Sequence, residues 1–340
     1  MSISIDIIIC TYNREVKVNS LIDDIISKKR LLNYNDLIVV DSSENINCYL
    51  QKNNSLKYLR SSQKNQLYQR FLGVSFSKSN FVFFLDDDME IIDEMILSKS
   101  KDFIMNNNEI SAIGYRFIEK NENASLNNIP TSSFNFLNKF KNLLTGYPSP
   151  SAGKLGWCGV RGKVEDFEKN PPFLSEYISG GAFLAKREKL FENFNFQLMD
   201  IFNDRLGMGE DTILGYGLSK SGKVFLWNEI SFFHNDQNNS VYASNIFNYS
   251  LKVLFSRLYL SLEKNRIDCK NLFLPKLHYH YYSFFRLFGY LLNYFLNPCE
   301  ERLLLLKGSF KGYFMSFSLF FKYQSKNEKW EEIVSKDLNL

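Results

Sequence analysis

Three consecutive carboxylates, Asp86-Asp87-Asp88, follow directly on the apolar run Phe81-Val82-Phe83-Phe84-Leu85. Adjacent negative charges repel, so the cluster needs a compensating cation or full solvation. If the chain stays extended there, Asp86 and Asp88 point to one side and Asp87 to the other. Two carboxylates on one side make a hard-oxygen site suited to a divalent ion that already carries phosphate oxygens. The plainer use is a solvated acidic turn that ends the strand. Farther along, Glu210-Asp211 follow Gly209 and open an apolar periodic segment, which places them in the first turn of a helix. The helix dipole favours acids at that position. His234, one of three histidines, closes the apolar run 230–233, a place where histidine is commonly structural.

The elements that must position these groups are readable from periodicity. Residues 3–10 form a first strand ending in Thr11-Tyr12-Asn13-Arg14, and Val18, Leu21, Ile22, Ile25 and Ile26 recur at helical spacing. Residues 37–40 form a second strand ending in Asp41. A helix over 66–77 carries Leu67, Phe71 and Val74 on one face with Arg70 near its middle. The run 81–85 is the third strand, apolar throughout as an inner strand of a parallel sheet is. A helix over 91–105 and a strand near 110–117 follow. Strands alternating with helices predict a doubly wound α/β sheet with right-handed crossovers. Ligands of such sheets bind outside the carboxyl ends of the strands, so Thr11, Asp41 and Asp86 should lie along one rim. That convergence favours an ion site over a mere solvated turn. No GxGxxG or GxxxxGK[ST] follows the first strand, so a nucleotide here must be held by side chains and a metal.

Residues 119–176 read as a long irregular excursion, of a length that suits a lid or binding wall. Within it Tyr147 and Trp157 offer flat faces for a sugar ring, although packing is the commoner use. Gly180-Gly181 allows a close backbone approach. Strands at 224–227 and 230–233 precede His234.

The chain has 340 residues, is 45% hydrophobic and 23% charged, and so has the composition of a globular protein rather than a disordered one. Its net charge of +4 is unevenly spread: residues 246–340 carry 14 Lys/Arg against 8 Asp/Glu, whereas residues 1–245 carry 27 against 29. The five cysteines form no CxxC pair and read as reduced, mostly buried thiols of a cytosolic protein. The first residues lack a basic region ahead of their apolar run, which speaks against a signal peptide, and no apolar stretch is long enough to span a membrane.

Taken together, Thr11-Tyr12-Asn13-Arg14, Asp41, Arg70, Asp86-Asp87-Asp88, Gly180-Gly181 and Glu210-Asp211 resemble family 2 glycosyltransferases of the GT-A fold. The resemblance covers roughly residues 3–236. It implies a Rossmann-like α/β fold, a mostly parallel sheet flanked by helices, over 1–240, with a donor half at about 1–118, an acceptor half at about 119–240, and a helical C-terminal extension over 241–340. It implies that Thr11, Tyr12 and Arg14 line the nucleotide pocket, that Asp41 bonds the base, and that Arg70 faces the diphosphate or orients the acidic loop. Asp86 contacts the ribose or the metal shell, with Asp87 beside it on the donor side. Asp88, together with Asp86 and His234, is the implied set for Mn²⁺ or Mg²⁺. Gly180, Gly181 and Trp157 fall on the acceptor side. Asp211 is the implied base, with Glu210 next to it. Family members commonly have Asn after the arginine, whereas Arg70 is followed by Phe71.

The implied reaction takes a sugar from a nucleotide-sugar donor to a hydroxyl of a saccharide or lipid-linked saccharide, in assembly of a bacterial surface polysaccharide. One base, one metal and no protein nucleophile mean a single displacement with inversion. A nucleotidyltransferase would also use an acidic rim, but leaves the Gly-Gly and Glu-Asp pairs unexplained; an inactive sugar-nucleotide-binding scaffold has no use for both Asp88 and Asp211.

Beyond residue 245 three apolar stripes recur at helical spacing: Phe247 to Leu262, Leu277 to Phe295, and Leu303 to Phe321. Asn297-Pro298-Cys299-Glu300 reads as a helix start, with Asn capping and Pro in the first position. Two uses fit these helices. One is packing on the catalytic domain or on one another. The other is docking on a membrane surface, since Arg286, Arg302, Lys307, Lys311 and Lys322 flank aromatic residues. The second would make the protein peripheral on the inner face of the cytoplasmic membrane. The basic residues form no continuous stripe, which argues against nucleic acid.

Overall fold

The computed structural model describes residues 3–107, 109–119, 150–162, 172–194, 196–203, 206–235, 245–322 and 329–338. Within the expected excursion, Tyr147 lies outside the described residues.

Three unbroken apolar runs become adjacent parallel strands: β1 (Ile5–Thr11), β2 (Leu37–Asp41) and β4 (Phe81–Asp86), with β3 (Lys57–Arg60) added at the edge. Helices α1 (Glu15–Ser27), α2 (Lys29–Leu32), α3 (Cys48–Lys52) and α4 (Gln66–Phe76) connect them. The sheet continues through β5 (Met89–Ile91), β6 (Ile110–Glu119), β7 (Phe173–Ser175), β8 (Ala182–Lys186) and β9 (Lys223–His234). Its order is β3-β2-β1-β4-β8-β6-β9-β5, with β7 also paired to β9. The β3-β2-β1-β4 pairs and the β6–β9 pair are parallel, while β8 runs antiparallel between β4 and β6. Helix α5 (Ile96–Met105) links β5 to β6; α6 (Arg187–Asn193), α7 (Phe196–Asn203) and α8 (Glu210–Ser221) link β8 to β9. The chain closes with α9 (Ile246–Ile267), α10 (Phe273–Leu296), α11 (Glu300–Lys322) and α12 (Lys329–Leu338).

Strand alternation sorts the core into two layers. Ile8, Val40, Phe84 and Phe183 face α4 and the later helices, while Ile7, Ile9, Val39 and Phe83 face α1 and α5. The register sets Thr11 opposite Asp41 and Cys10 opposite Asp86, so the three strand ends share one rim as expected.

Several expectations change. The chain does not stay extended through the acidic triplet. It turns at Asp87-Asp88 and enters β5, which pairs antiparallel with the end of β9, Met89 facing His234. Residue 91 therefore belongs to a strand, and the helix predicted from 91 starts at Ile96. The two short strands at 224–227 and 230–233 are one strand with bulges where it follows β6. Helix α11 begins at Glu300, with the Cys299 carbonyl accepting its first turn from Leu303 N–H at 3.1 Å; Asn297 caps no helix start, and its carbonyl instead accepts from Arg302 at 2.7 Å. Of the five cysteines only Cys10 and Cys158 are buried; Cys48, Cys269 and Cys299 sit at helix ends, where the chain meets solvent.

Candidate functional site

The acidic triplet divides its three carboxylates among different partners. Asp86 Oδ1 accepts from Gln66 Nε2 at 2.9 Å and from Arg70 Nη2 at 3.1 Å. Asp87 accepts from the Thr11 hydroxyl at 2.8 Å and from Arg14 Nη1 at 2.8 Å. Asp88 shares that same Arg14 nitrogen at 2.8 Å and sits 3.4 Å from His234 Nε2. Because β5 pairs with β9, His234 is delivered to Asp88 by backbone register: Met89 faces His234, and Asn235 N–H donates to the Asp88 carbonyl at 2.7 Å. Burial raises the Asp86 carboxyl to about 7, against the pull of Arg70. Burial also pushes Asp88 upward, but the hydrogen bonds and positive charges of His234 and Arg14 outweigh it and hold Asp88 at about 2. Asp88 is thus the member of the triplet that stays ionised most firmly.

At the end of β2, Asp41 is buried and fully engaged. Its carboxylate accepts from the Tyr58 hydroxyl at 2.6 Å, Arg60 Nη1 at 2.9 Å and Ser43 N–H at 2.7 Å. Tyr12 lies under the Lys64 ammonium, 5.2 Å from the ring centre, and Lys64 also reaches Glu44 at 3.0 Å. Gln69 ties the ends of β1 and β2 together by donating to the Thr11 and Val40 carbonyls at 3.0 and 2.9 Å. These bonds fix the rim without closing it.

Arg70 joins the rim to the opposite wall. Only 2% of it is exposed; Nη2 donates to Asp86 and, at 3.0 Å, to the Gly180 carbonyl, and Nη1 lies 3.7 Å from Glu210. Its guanidinium lies near the paired Phe84 and Phe183 rings, 5.9 and 5.5 Å from their centres. Breaking such a buried ion pair by removing one partner costs about 3–5 kcal/mol. The two glycines explain themselves by space. A Cβ at Gly181 would lie 1.9 Å from Met89 Cε, and one at Gly180 would press on the Asp211 carboxylate at 3.3–3.4 Å. Gly181 also accepts from Asp86 N–H at 2.9 Å. The glycine pair therefore sits between the triplet and Asp211.

Gly209 adopts φ 88° at the start of α8, a left-handed conformation that glycine takes at little cost. Glu210 and Asp211 then occupy the first helical turn, as expected. Burial, reinforced by the Asp211 charge, raises the Glu210 carboxyl. Asp211 Oδ2 accepts from Arg161 Nη2 at 2.8 Å, whereas among the described residues Oδ1 has a long contact, 3.5 Å, from the Thr212 hydroxyl. Arg161 Nε also donates to Thr212 at 2.8 Å, and its guanidinium lies over Tyr177 at 5.4 Å.

These groups surround one cavity of about 620 Å³. Gln66, Arg70 and Asp86 line one side, Gly180, Gly181, Glu210 and Asp211 the facing wall, and the turn Gly159-Val160-Arg161 with Val253, Ser256, Arg257 and Leu260 of α9 completes it. Asp86 and Asp211 thus share a cavity; Asp88, His234, Thr11 and Arg14 sit beside it on the triplet's other flank. Trp157 does not line the cavity. It is half exposed and stacks on His278 of α10 at 3.9 Å.

Residues not found from sequence include Arg161 and Arg257. Arg257 Nη1 donates to the Cys158 and Gly159 carbonyls at 3.0 and 2.8 Å and so shapes the turn that carries Arg161. Nothing local signals either arginine, because their partners lie 50 and 98–99 residues away. A third is Asp337 of α12, which accepts from Ser62 N–H at 2.9 Å and the Tyr68 hydroxyl at 2.8 Å and so fixes the approach to Gln66.

Asp88 and His234, 3.4 Å apart, are the side chains here whose donor chemistry would suit a divalent cation. Among the described residues no three His, Cys, Asp or Glu side chains gather as a complete cage. A carboxylate and an imidazole side by side still match ions whose remaining positions belong to diphosphate oxygens and water. Asp86, turned to Gln66 and Arg70, is not directed to that pair.

The model of the family described as glycosyl transferase family 2 matches residues 6–157. No curated protein sequence matches the chain. Among solved structures, S. aureus TarS 1–349 in complex with UDP-GlcNAc is similar at 13% identity and TM-score 0.49, covering 90% of this chain and 79% of that one. The structure of S. aureus TarS 1–349 gives 12% identity and TM-score 0.47, covering 95% and 92%.

Proposed function

We propose that this chain, a glycosyltransferase with a family 2 domain over residues 6–157 and a GT-A sheet, moves a sugar from a nucleotide-sugar donor to a hydroxyl of a saccharide or lipid-linked saccharide, with inversion. The observation that carries this reading is the shared cavity, with Asp86 and Arg70 on one side and Asp211 on the other, separated by glycine backbone. The rim of β1, β2 and β4 receives the nucleotide, with Tyr12 and the Asp41 surround at the base and ribose. The acceptor enters between the 159–161 turn and α9. Asp211 Oδ1 takes the proton of the attacking hydroxyl, while Arg161 holds Oδ2 and sets the carboxylate plane. Glu210, adjacent and paired with Arg70, keeps the arginine aimed at the donor side. A divalent ion at Asp88 and His234 would supply Lewis-acid stabilisation of the departing diphosphate.

Assembly of a bacterial surface polysaccharide fits a lipid-linked acceptor, and the protein would then act as a peripheral protein on the inner face of the cytoplasmic membrane. The test is a panel of sugar nucleotides incubated with Mn²⁺, with products read by proton NMR. Slow hydrolysis of one donor, releasing the sugar with inverted anomeric configuration, is the expected result. Retention of configuration, or no turnover of any donor, would overturn the reading.

A further inference from the structure

Helix α10 has two faces of opposite character. Tyr279, Tyr282, Ser283 and Leu287 are buried, and the Tyr279 hydroxyl donates to Ser316 of α11 at 2.9 Å, so the helix is firmly seated. On the other face, Phe273, Leu277, Phe284, Phe288, Leu292 and Phe295 recur at steps of three, four or seven residues, and each is between 45% and 71% exposed. That spacing aligns them as one stripe. At 1.5 Å per residue the 24-residue helix runs about 36 Å, far beyond a chance surface residue or two. Helix α11, packed alongside, exposes Phe310 and Phe314 with Lys307 and Lys311.

We infer that this face docks on a bilayer surface carrying anionic lipid. The charge pattern selects that occupant. Helix α10 contains no Asp or Glu, and residues 273–322 hold six Lys/Arg against two glutamates. Large aromatic and aliphatic side chains bordered by cations are what an interfacial helix presents to headgroups and the acyl boundary. No helix among the described residues is long and apolar enough to cross a membrane, so the helix lies along the surface. Its position also matters. Next to Leu277, at one end of the stripe, His278 stacks on Trp157, whose turn continues into the Gly159-Val160-Arg161 wall of the cavity. A saccharide on a lipid anchor would therefore reach Asp211 from the docked side. That last link rests on the transfer reaction proposed above; the docking itself does not.

Flotation of the full chain with phosphatidylcholine vesicles, with and without about 30% phosphatidylglycerol, reads the surface without any sugar nucleotide. The parent protein should float with the anionic vesicles at low salt and lose most of that binding in high salt or with neutral vesicles. Phe284→Ser combined with Phe288→Ser, at exposed positions, should keep the parental melting temperature and weaken vesicle binding by about tenfold or more. Lys307→Glu with Lys311→Glu should weaken binding to anionic vesicles alone. The inference is overturned if the parent fails to float with anionic vesicles at low salt, or if the phenylalanine variant floats as well as the parent. It is equally overturned if sedimentation shows a parental dimer that the phenylalanine variant dissociates while vesicles remain unbound, since the face would then belong to a second copy.

Discussion

On the donor rim, Thr11, Asp41 and Asp86 stand at the ends of neighbouring parallel strands, within one step of register. On the facing wall, Arg161, Gly180 and Asp211 come from a turn, a loop and a helix start, joined by single side-chain contacts. The first arrangement is set by backbone pairing and buried strands, the second by individual ties that can be cut one at a time. A rim substitution should therefore disturb fold and binding together. A wall substitution should change the rate and leave donor binding alone. Arg70 is the exception, because its buried guanidinium belongs to both.

The sharpest way to break this contrast is Asp211→Asn, which keeps the side-chain shape and removes the base. Loss of a positioned general base lowers turnover by about 10²–10⁴, and the structure gives no reason for a change in melting temperature beyond that of losing one ion pair. Parental turnover would remove Asp211 from the mechanism. Next in size is Arg161→Gln. With its orienting partner gone, Asp211 should misplace its proton-accepting oxygen and kcat should fall about 10–100-fold, while the donor dissociation constant stays unchanged. A parallel loss of donor affinity would show that the two walls are not separable. The smallest effect concerns the support behind the wall. Asp268, at the end of α9, accepts from the Tyr216 hydroxyl of α8 at 2.6 Å and meets Lys220, Lys264 and Lys270. Burial works upward on this carboxyl, but the Tyr216 hydrogen bond and the lysines hold it well below the usual carboxylate range. Its stabilisation is therefore present above the unfolded pKa of about 3.9 and is lost as pH falls through the folded value. Asp268→Asn should cost about 1–2 kcal/mol in urea unfolding at pH 7, with the gap to the parent narrowing below about pH 4. A gap independent of pH would mean the carboxylate charge contributes nothing.

Sequence reading reached the rim farther than the wall, for physical reasons. Strands β1, β2 and β4 are unbroken apolar runs ending in polar residues, so both their burial and their common level were visible. Helix α4 and the Gly180-Gly181 approach were legible for the same local reasons. The turn at Asp87-Asp88 was not, because β5 exists only through its pairing with the end of β9. The antiparallel insertion of β8 between β4 and β6 is likewise a matter of long-range pairing. Arg161 and Arg257 carry no motif. Helix α9 read as part of a tail, yet Leu254, Leu258 and Leu262 are buried and Arg257 and Leu260 line the cavity. Within the tail, α9 packs inward, whereas α10 exposes its stripe.

The division between the two walls is tested most directly by calorimetry of donor-nucleotide binding, with and without Mn²⁺, for Asp211→Asn and Asp88→Asn side by side. The account predicts parental, metal-dependent affinity for Asp211→Asn and loss of the metal-dependent part for Asp88→Asn. Donor binding lost in Asp211→Asn, or parental metal-dependent binding in Asp88→Asn, would contradict it.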